Sequence, residues 1–405
     1  MTSIQRRRRL RSEAGFTMIE MLIATLIMVV VTGAMFDILN PASGAFNTQP
    51  EVSDMQQRMR VGIDTLQKDL VMAGAGTYTG PNAGGLYNFM APVMPYRATG
   101  DNPDPESGVY YRPDTISLLY VPPTPSQTTI SDGMPPNSAE IKVNPQSNCP
   151  GNKQNQLCGF EVGMRLIIFD ASGNWDVFTV THVQDAAAHL QHRGQQFTIG
   201  YEAGANVTQI KSVTYYLNTD NATKTYQLMY DDGWDPPVPV VDDVVKLEFE
   251  YWGDPSPPQL IPNKPLSGPG PWTTYGPKPP VLGTDVGTDS WGAGENCVFT
   301  VVDGRHVPRL PVLNGGGLGQ VRLTQAMLTD GPWCPDASKI SRFDADLLRI
   351  RRIRATLRVQ VSKPWMRGPA GPLFHYGGSA VRTAGQIPDQ EIRFDVTPRN
   401  MNLGR

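Results

Sequence analysis

Few side chains in this sequence are arranged in a way that favours catalysis. His189 and His192 form an H-x-x-H pair, but no glutamate stands at the spacing that a metalloprotease helix requires. The stretch Gly378-Ser379-Ala380 lacks the second glycine of a nucleophile elbow. The sequence has neither a phosphate-binding loop nor a dinucleotide fingerprint. These observations predict a protein that is not an enzyme, with both histidines on its surface.

Carboxylates are densest around Asp231, Asp232 and Asp235, and Asp242 and Asp243 follow a short distance along the chain. Several carboxylate oxygens on one loop can hold a hard cation such as calcium. The spacing of these acids does not follow an EF-hand loop, so a solvated acidic turn is expected in place of a metal site. No cofactor is predicted.

The four cysteines could form disulfides or bind a metal. Cys149 and Cys158 enclose a short polar loop, and Cys297 and Cys334 lie farther along the chain. A zinc site usually needs close C-x-x-C pairs, which this sequence lacks. Two local disulfides are expected if this part of the chain is exported, each stabilising the fold by a few kcal/mol. Three pairings are open, and the sequence does not choose among them.

A row of arginines forms the main basic cluster beyond the N-terminus. It consists of Arg349, Arg351, Arg352, Arg354 and Arg358. Such a row, facing outward, could contact the phosphates of a nucleic acid. The simpler expectation is pairing across a sheet with Glu248 and Glu250, which contributes little per pair at a surface. No specific nucleic-acid partner is therefore predicted, in keeping with a formal net charge of only −3.

The first forty residues carry the strongest signal in the chain. Residues 1–14 are polar and basic, and an apolar stretch runs from Met21 to Phe36. The arginines before this stretch are Arg6, Arg7, Arg8, Arg9 and Arg11. A secretory signal would have a small-residue cleavage site after its apolar core, and here the polar break falls before it, at Gly15-Phe16. The arginines predict a cytoplasmic N-terminus, with residues from about 40 onward outside.

Glu20 is an acidic residue at the start of the apolar segment, where a charged side chain is energetically unfavourable. The apolar stretch alone gives about 24 Å of helix, which is short for a hydrocarbon core of about 30 Å. Adding residues 16–19 completes a span but carries Glu20 into the apolar zone, at a cost of a few kcal/mol. We therefore expect Glu20 to have a partner or a task. The alternative is that the segment is a plain single-pass membrane anchor. The Glu20 side chain would then extend to the membrane interface.

The segment Gly15-Phe16-Thr17-Met18-Ile19-Glu20 with its apolar continuation resembles the leader of type IV prepilins and type II secretion pseudopilins. The resemblance implies that a prepilin peptidase cuts between Gly15 and Phe16 and methylates Phe16. Glu20 then becomes the fifth residue of the mature chain. In that family this glutamate meets the N-terminal amine of a neighbouring subunit in the filament core.

Three later stretches narrow the resemblance to PilW-like minor pilins, and less closely to the J-type minor pseudopilins of type II secretion. They are residues 56–74, 241–251 and 396–400. The implied function is a minor type IV pilin that takes part in pilus assembly or initiation near the filament tip, with head loops available for adhesion. The bulk of the head supports a tip position. The alternatives are a type II secretion minor pseudopilin, or a surface adhesin that a pilin segment delivers.

The resemblance also implies partners and a location. The partners are the prepilin peptidase, the major pilin, other minor pilins and, before assembly, the inner membrane. The location is the bacterial inner membrane, crossed once with the N-terminus cytoplasmic and the head outside, and then the pilus on the cell surface.

A second helical pattern follows a break that Pro41 and Pro50 predict. Its apolar stripe consists of Val52, Met55, Met59, Ile63, Leu66, Leu70 and Ala73. Gln56, Arg58, Asp64 and Lys68 occupy the other face. Glycines at 74 and 76 should end this helix. The stripe predicts packing on the sheet of the head, and contact with a partner helix is the second interpretation.

Beyond residue 110 apolar residues alternate, as in half-buried antiparallel strands. The alternation covers residues 116–120, 213–217, 226–230, 245–251 and 353–361. The last of these predicts outward-facing Arg352, Arg354, Arg358 and Gln360. The predicted fold class is α+β, in which a long N-terminal membrane-spanning and amphipathic helix packs on an elaborated, mainly antiparallel β-sheet head with long Pro/Gly-rich loops.

The predicted organisation of the 405 residues has four parts. They are a leader at 1–15, a transmembrane and filament-core helix at 16–40, an amphipathic helix at 51–75 and a β-rich head at 76–405. Pro- and Gly-rich stretches interrupt the head at 79–112 and at about 253–337. Loops of this length are predicted to be exposed and to tolerate deletion.

Overall fold

A computed structural model describes most of the chain. The described residues are 15–76, 91–95, 111–123, 126–146, 149, 155–170, 175–220, 225–233, 235–257, 260–261, 272–273, 283, 291–334, 342–368, 387–398 and 401. For residues 39–47, 225, 260–261 and 272–273 the backbone alone is described. The chain divides into two compact units, Met1–Asp54 and Met55–Arg405.

One long helix, α1, runs from Met18 to Met72. The predicted break between Pro41 and Pro50 is wrong, because the backbone is helical throughout this range. A proline inside a helix removes one hydrogen bond and costs roughly 3 kcal/mol. In a helix of 55 residues, that penalty is small against the many bonds that remain.

The described residues contain 22 strands. The first nine are β1 (Val93–Met94), β2 (Thr115–Tyr120), β3 (Gln127–Thr129), β4 (Glu140–Lys142), β5 (Arg165–Phe169), β6 (Trp175–Thr179), β7 (His182–Gln184), β8 (His189–Gln191) and β9 (Asn206–Gln209). The next four are β10 (Lys211–Asp220), β11 (Thr225–Asp231), β12 (Val238–Asp242) and β13 (Val244–Gly253). The last nine are β14 (Leu260–Ile261), β15 (Trp272–Thr273), β16 (Phe299–Val302), β17 (Arg305–Pro308), β18 (Val321–Leu323), β19 (Trp333–Cys334), β20 (Phe343–Asp344), β21 (Ile350–Val359) and β22 (Gln390–Val396).

Two antiparallel sheets form the frame of the head. One has the strand order β1-β2-β10-β11-β12, and the other has the order β18-β13-β21-β22. The alternating stretches predicted from sequence lie in β2, β10, β11, β13 and β21. The predicted α+β class with a mainly antiparallel head is therefore confirmed.

The part of α1 in the second unit packs on these sheets. Met55, Leu66, Leu70 and Ala73 have no exposed surface. The helix approaches β21 closely at Gly62, where an added Cβ would lie 2.8 Å from the Leu357 side chain. The packing that the apolar stripe predicts is confirmed.

The prediction that Arg358 and Gln360 face solvent is wrong. Arg358 is 1% exposed and Gln360 is fully buried. The carboxylate of Asp389, which follows the long stretch after β21, lies 2.9 Å from the Arg358 guanidinium on this side of the sheet. Alternation shows which residues share a face of a strand, but it does not show what later segments of the chain cover that face.

The Pro/Gly-rich stretch at 253–337 is partly built into the head. Its strand β18 pairs with β13 as the outer strand of the four-stranded sheet. Leu310 and Leu328 are buried, and Cys334 has no exposed surface. The expectation that the whole stretch is exposed is therefore wrong, and its tolerance of deletion stays a prediction. Most of the other predicted loop, 79–112, lies outside the described residues.

A smaller set of strands, β3 to β9, lies between β2 and β10 in sequence. These strands form a four-stranded sheet, β3-β9-β5-β6, and a three-stranded sheet, β4-β8-β7. Both sheets enclose a hydrophobic core that is drawn from residues 130–207. The sequence did not predict this module, which we define as residues 126–210.

Candidate processing and assembly site

The predicted cleavage bond lies in accessible backbone. Residues 15–17 precede α1 and are not helical. Phe16 is 87% exposed, and no group of the described residues beyond its own neighbours lies within 4 Å of the position that a Gly15 Cβ would take. A peptidase needs a reachable segment that is not helical, and the bond between Gly15 and Phe16 is in such a segment.

Thr17 and Glu20 form a capping box at the start of α1. Thr17 donates its backbone N–H to Glu20 Oε2 at 2.9 Å and its hydroxyl to the same oxygen at 2.8 Å. The backbone N–H of Glu20 donates in return to Thr17 Oγ1 at 3.3 Å. Helix starts leave four N–H groups without partners, and this reciprocal pair satisfies two of those donors. Thr17-x-x-Glu20 is visible in the sequence as a capping-box signature, although no role was predicted for Thr17.

The helix that this box begins is apolar and exposed. Residues Met18–Ile38 form a 21-residue range that is long and apolar enough to cross a membrane, and none of it is buried in the structure. At about 1.5 Å per residue it measures about 32 Å, which matches the hydrocarbon core of a bilayer. Glu20 lies in its first turn, where the positive end of the helix dipole favours a carboxylate. The arginines at positions 6–11 lie outside the described residues.

The four cysteines form two disulfides. Cys149 is bonded to Cys158 and Cys297 to Cys334, which are the two local pairs. The first bridge closes a loop over the core of the module, and the second joins the stretch before β16 to β19. Two disulfides in the head are typical of a protein in an oxidising compartment.

The acidic residues named from the sequence serve the local backbone. Asp231 is 1% exposed, and its Oδ1 accepts the Gly233 N–H at 2.7 Å. Asp232 Oδ1 accepts the Asp235 N–H at 3.0 Å. These are turn-stabilising bonds, and the three carboxylates do not converge on a common point among the described residues.

Asp242 and Asp243 have other partners. Asp242 accepts a hydrogen bond from Gln227 at 2.8 Å. Asp243 lies between Arg58 of α1, at 2.8 Å, and Arg367, at 2.9 Å. Arg58 was placed on the solvent face of the helix from sequence, and this ion pair explains why it is half-buried.

A different set of carboxylates converges. One carboxylate oxygen from each of Asp330, Asp344 and Asp346 lies within 4.8 Å of the other two. Asp344 accepts the N–H groups of Gly331 and Asp346, and the Arg349 guanidinium lies 2.5 Å from Asp346. Burial raises the pKa of Asp344 to about 7 and that of Asp346 to about 6. Sequence reasoning missed this cluster, because only the fold brings residue 330 beside residues 344 and 346.

The arginine row does not form a basic surface. Arg349, Arg351 and Arg358 are at most 2% exposed. The Arg349 guanidinium donates to the backbone carbonyls of Asp254, Pro255 and Pro311, the last at 2.6 Å. A buried guanidinium that is fully engaged with carbonyl groups cannot contact phosphates, so the nucleic-acid interpretation of this row is not supported.

The partners of the row also differ from those expected. Arg351 pairs with Asp254, Arg354 with Asp395 and Arg358 with Asp389. The expected cross-strand pairing is found in part, because Arg354 lies opposite Glu250 in the register of β13 and β21, whereas Thr356 lies opposite Glu248. Both glutamates also have ion-pair partners outside the row. Arg322 lies 2.6 Å from Glu250, and Lys246 lies 3.0 Å from Glu248.

The two histidines have different environments. His189 is half-buried, with Nδ1 3.6 Å from a Glu140 carboxylate oxygen. His192 is fully buried and packs against Phe178 and Phe197, and this burial lowers the pKa of its imidazole. The surface position predicted for both is therefore wrong for His192. Ser379 lies outside the described residues.

Comparisons with known proteins agree with the geometry of the N-terminus. Residues 10–36 match the family model described as the prokaryotic N-terminal methylation motif. The chain is also similar to the pilin-like protein PilA3 of Thermus thermophilus, with 32% identity over 108 residues. That match covers 26% of this chain and 41% of the Thermus protein, so less than half of the relative is spanned.

The matched motif and the pilin-like relative support a type IV pilin-like protein. The motif marks an N-terminus of the kind that is methylated in prokaryotes. Together with the apolar helix it fits a membrane-anchored pilin. Pilin-like proteins are in general structural proteins, not enzymes.

Proposed function

We propose that this chain is a PilW-like minor type IV pilin that helps to initiate pilus assembly. The observation that carries the proposal is the exposed, non-helical Gly15-Phe16 bond directly before an apolar helix whose first turn holds Glu20. Cleavage at that bond and methylation of Phe16 prepare the subunit. The protein acts through subunit contacts and catalyses no reaction.

Glu20 is the group that aligns one subunit with the next. Before assembly, Thr17 satisfies its carboxylate with two hydrogen bonds, so that the charge is tolerated at the edge of the membrane. Removal of the leader leaves a cationic amine on Phe16 of every subunit. In the filament, this amine of a neighbour pairs with Glu20, and the low dielectric of the helix core strengthens the attraction.

The head favours a place at or near the tip of the filament. Its unit extends over residues 55–405, which is bulky for the repeating subunit of a slender filament. Before assembly the chain crosses the inner membrane once, with the N-terminus cytoplasmic and the head outside. Its partners are the prepilin peptidase, the major pilin and other minor pilins.

Adhesion through head loops is a second function that particular residues favour. Leu318 is fully exposed in a glycine-rich loop, and Val302 is half exposed at the turn of the β16–β17 hairpin. Single exposed apolar side chains are ordinary on a protein surface, so substitution has to decide whether these two take part in attachment. The variants Leu318→Ser and Val302→Ser should reduce attachment and leave the number of pili unchanged. Val162→Ser, an exposed valine in the module, is the matched control.

The first test is mass spectrometry of the N-terminal peptide, from sheared surface filaments and from the membrane fraction. The expected result is a peptide that begins with methylated Phe16, at low abundance in the filaments. Processed protein confined to the membrane would favour a type II secretion pseudopilin. A chain that still begins near Met1 would contradict the proposal and leave a plain membrane anchor.

A further inference from the structure

Among the described residues, the strands of the module, residues 126–210, pair only with one another. Its two sheets, β3-β9-β5-β6 and β4-β8-β7, share no strand with either sheet of the head. Backbone contacts join the two sheets where β3 and β4 end, as in the hydrogen bond from the Asn144 N–H to the Thr129 carbonyl and in the bridge between Ile130 and Val143. The strand pairing of the module is therefore closed on itself.

The module also has a core of its own. Leu166, Ile168 and Leu190 have no exposed surface. The rings of Phe178 and Phe197 pack edge to face in the same core. The disulfide Cys149–Cys158 closes its longest connection. A segment of about 85 residues with a separate apolar core and a disulfide has what an independent fold of that size requires.

The module joins the head between two neighbouring strands. It follows the last residue of β2 and precedes the first residue of β10, and these strands are antiparallel neighbours in which Tyr120 lies opposite Lys211. A second, small cluster covers this junction, in which Ile167 and Phe169 of β5 meet Val121 and Ile210. Without the module, β2 and β10 would be the two arms of an ordinary β-hairpin.

We propose that residues 126–210 are an inserted module that folds as a unit of its own and is not needed for the head to fold or for the protein to assemble. The filament function then depends on α1 and the two head sheets. The module is the part of the chain that is available for a role outside assembly. This inference goes beyond the proposed function, and it does not depend on the choice between a pilus and a secretion system.

One test replaces residues 122–209 with Asn-Gly, a pair that favours the tight turn of a two-residue hairpin. Val121→Thr and Ile210→Thr are included, because both side chains lose the apolar cover of β5. The variant is expressed from the full-length gene, with its leader and α1. Unchanged processing at Gly15 and an unchanged share of the protein in sheared filaments are expected. A variant that is degraded, or that is processed but absent from filaments, would overturn the proposal.

A second test needs no deletion and no filament. Ile168 in the module and Ile353 in the head are both fully buried, so Ile168→Val and Ile353→Val are matched substitutions. In the purified full-length protein, each should make hydrogen exchange roughly twofold to tenfold faster in its own region alone. Exchange that quickens equally in both regions with either variant would show one cooperative unit and overturn the proposal. Because this test is independent of pilus formation, its failure is distinguishable from failure of the proposed function.

Discussion

Two carboxylates on the same helix are held in opposite ways. Glu20, in the first turn of α1, is exposed, and its hydrogen bonds come from Thr17, three residues earlier in the chain. Asp69, near the end of α1, is 3% exposed and accepts the hydroxyls of Tyr120 and Tyr215, each at 2.6 Å. Lys211 lies 3.7 Å from the same carboxylate. The bonds of Glu20 are local, so the carboxylate can exchange Thr17 for another partner. The bonds of Asp69 hold the helix on the sheet for as long as the head is folded.

The two carboxylates differ in how much free energy is lost when their hydrogen bonds are broken. The partners of Asp69 are 51 and 146 residues away in sequence, so they exist only in the folded head. Burial and the nearby Asp69 charge raise the pKa values of both tyrosines well above the usual range, so both remain hydrogen-bond donors. The bonds of Glu20 need only a helix turn, and a cation from another subunit can replace them.

The largest effect is expected for Asp69→Ala. It leaves two buried tyrosine hydroxyls without an acceptor, and each such group costs about 1–3 kcal/mol. The free energy of unfolding of the head should therefore fall by about 4 kcal/mol, measured by urea denaturation. Asp64→Ala, on the exposed face of the same helix, is the control and should change it by less than about 0.5 kcal/mol. If both variants lowered the free energy of unfolding equally, the claim that Asp69 holds the helix on the sheet would be contradicted.

Asp344 extends the comparison to a carboxylate that is buried but held by backbone N–H groups. Burial raises its folded-state pKa to about 7, whereas in the unfolded chain it is about 4. The folded protein therefore binds more protons between these values, and this contribution to stability is lost as the pH rises from about 4 to about 7. Asp344→Asn should flatten that part of the pH profile of unfolding by a few kcal/mol. An unchanged slope would show that Asp344 is ionised in the folded head.

A smaller effect is expected for Thr17→Ala. The variant removes the hydroxyl that bonds Glu20 but keeps the carboxylate for a neighbouring subunit. Amide exchange in the first turn of α1 should become faster, because the cap is lost. Thr17→Ser keeps a hydroxyl and should restore slow exchange. Assembly that fails in Thr17→Ala as completely as it does without Glu20 would mean that the internal bond, and not the carboxylate, is the essential feature.

The parts of the molecule that depend on local sequence could be predicted. The N-terminal methylation motif and the apolar helix follow from residues that are close together in the chain. Strands such as β13 and β21, ten residues each, are long enough for alternation to show. The module could not be predicted, because β3, β4, β7 and β8 have only three residues each and give no readable period.

The predictions that failed concern partners from distant segments. Arg351 and Arg358 bind acids at positions 254 and 389, which no pattern within β21 reveals. The acidic turn at 231–235 was visible in sequence, whereas the convergence of Asp330 with Asp344 required the fold. The Pro41–Pro50 break was predicted from proline chemistry alone, and the length of α1 overrode it.

The most direct test of the account is the amount of Glu20→Gln protein in sheared filaments relative to the membrane fraction, measured by the N-terminal peptide that begins at Phe16. Glutamine keeps an acceptor for Thr17 but removes the charge that a neighbouring amine would pair with. The account predicts a cleaved and methylated chain, a head as stable as the original and almost no protein in filaments. Glu20→Gln protein that enters filaments at the original level would contradict it.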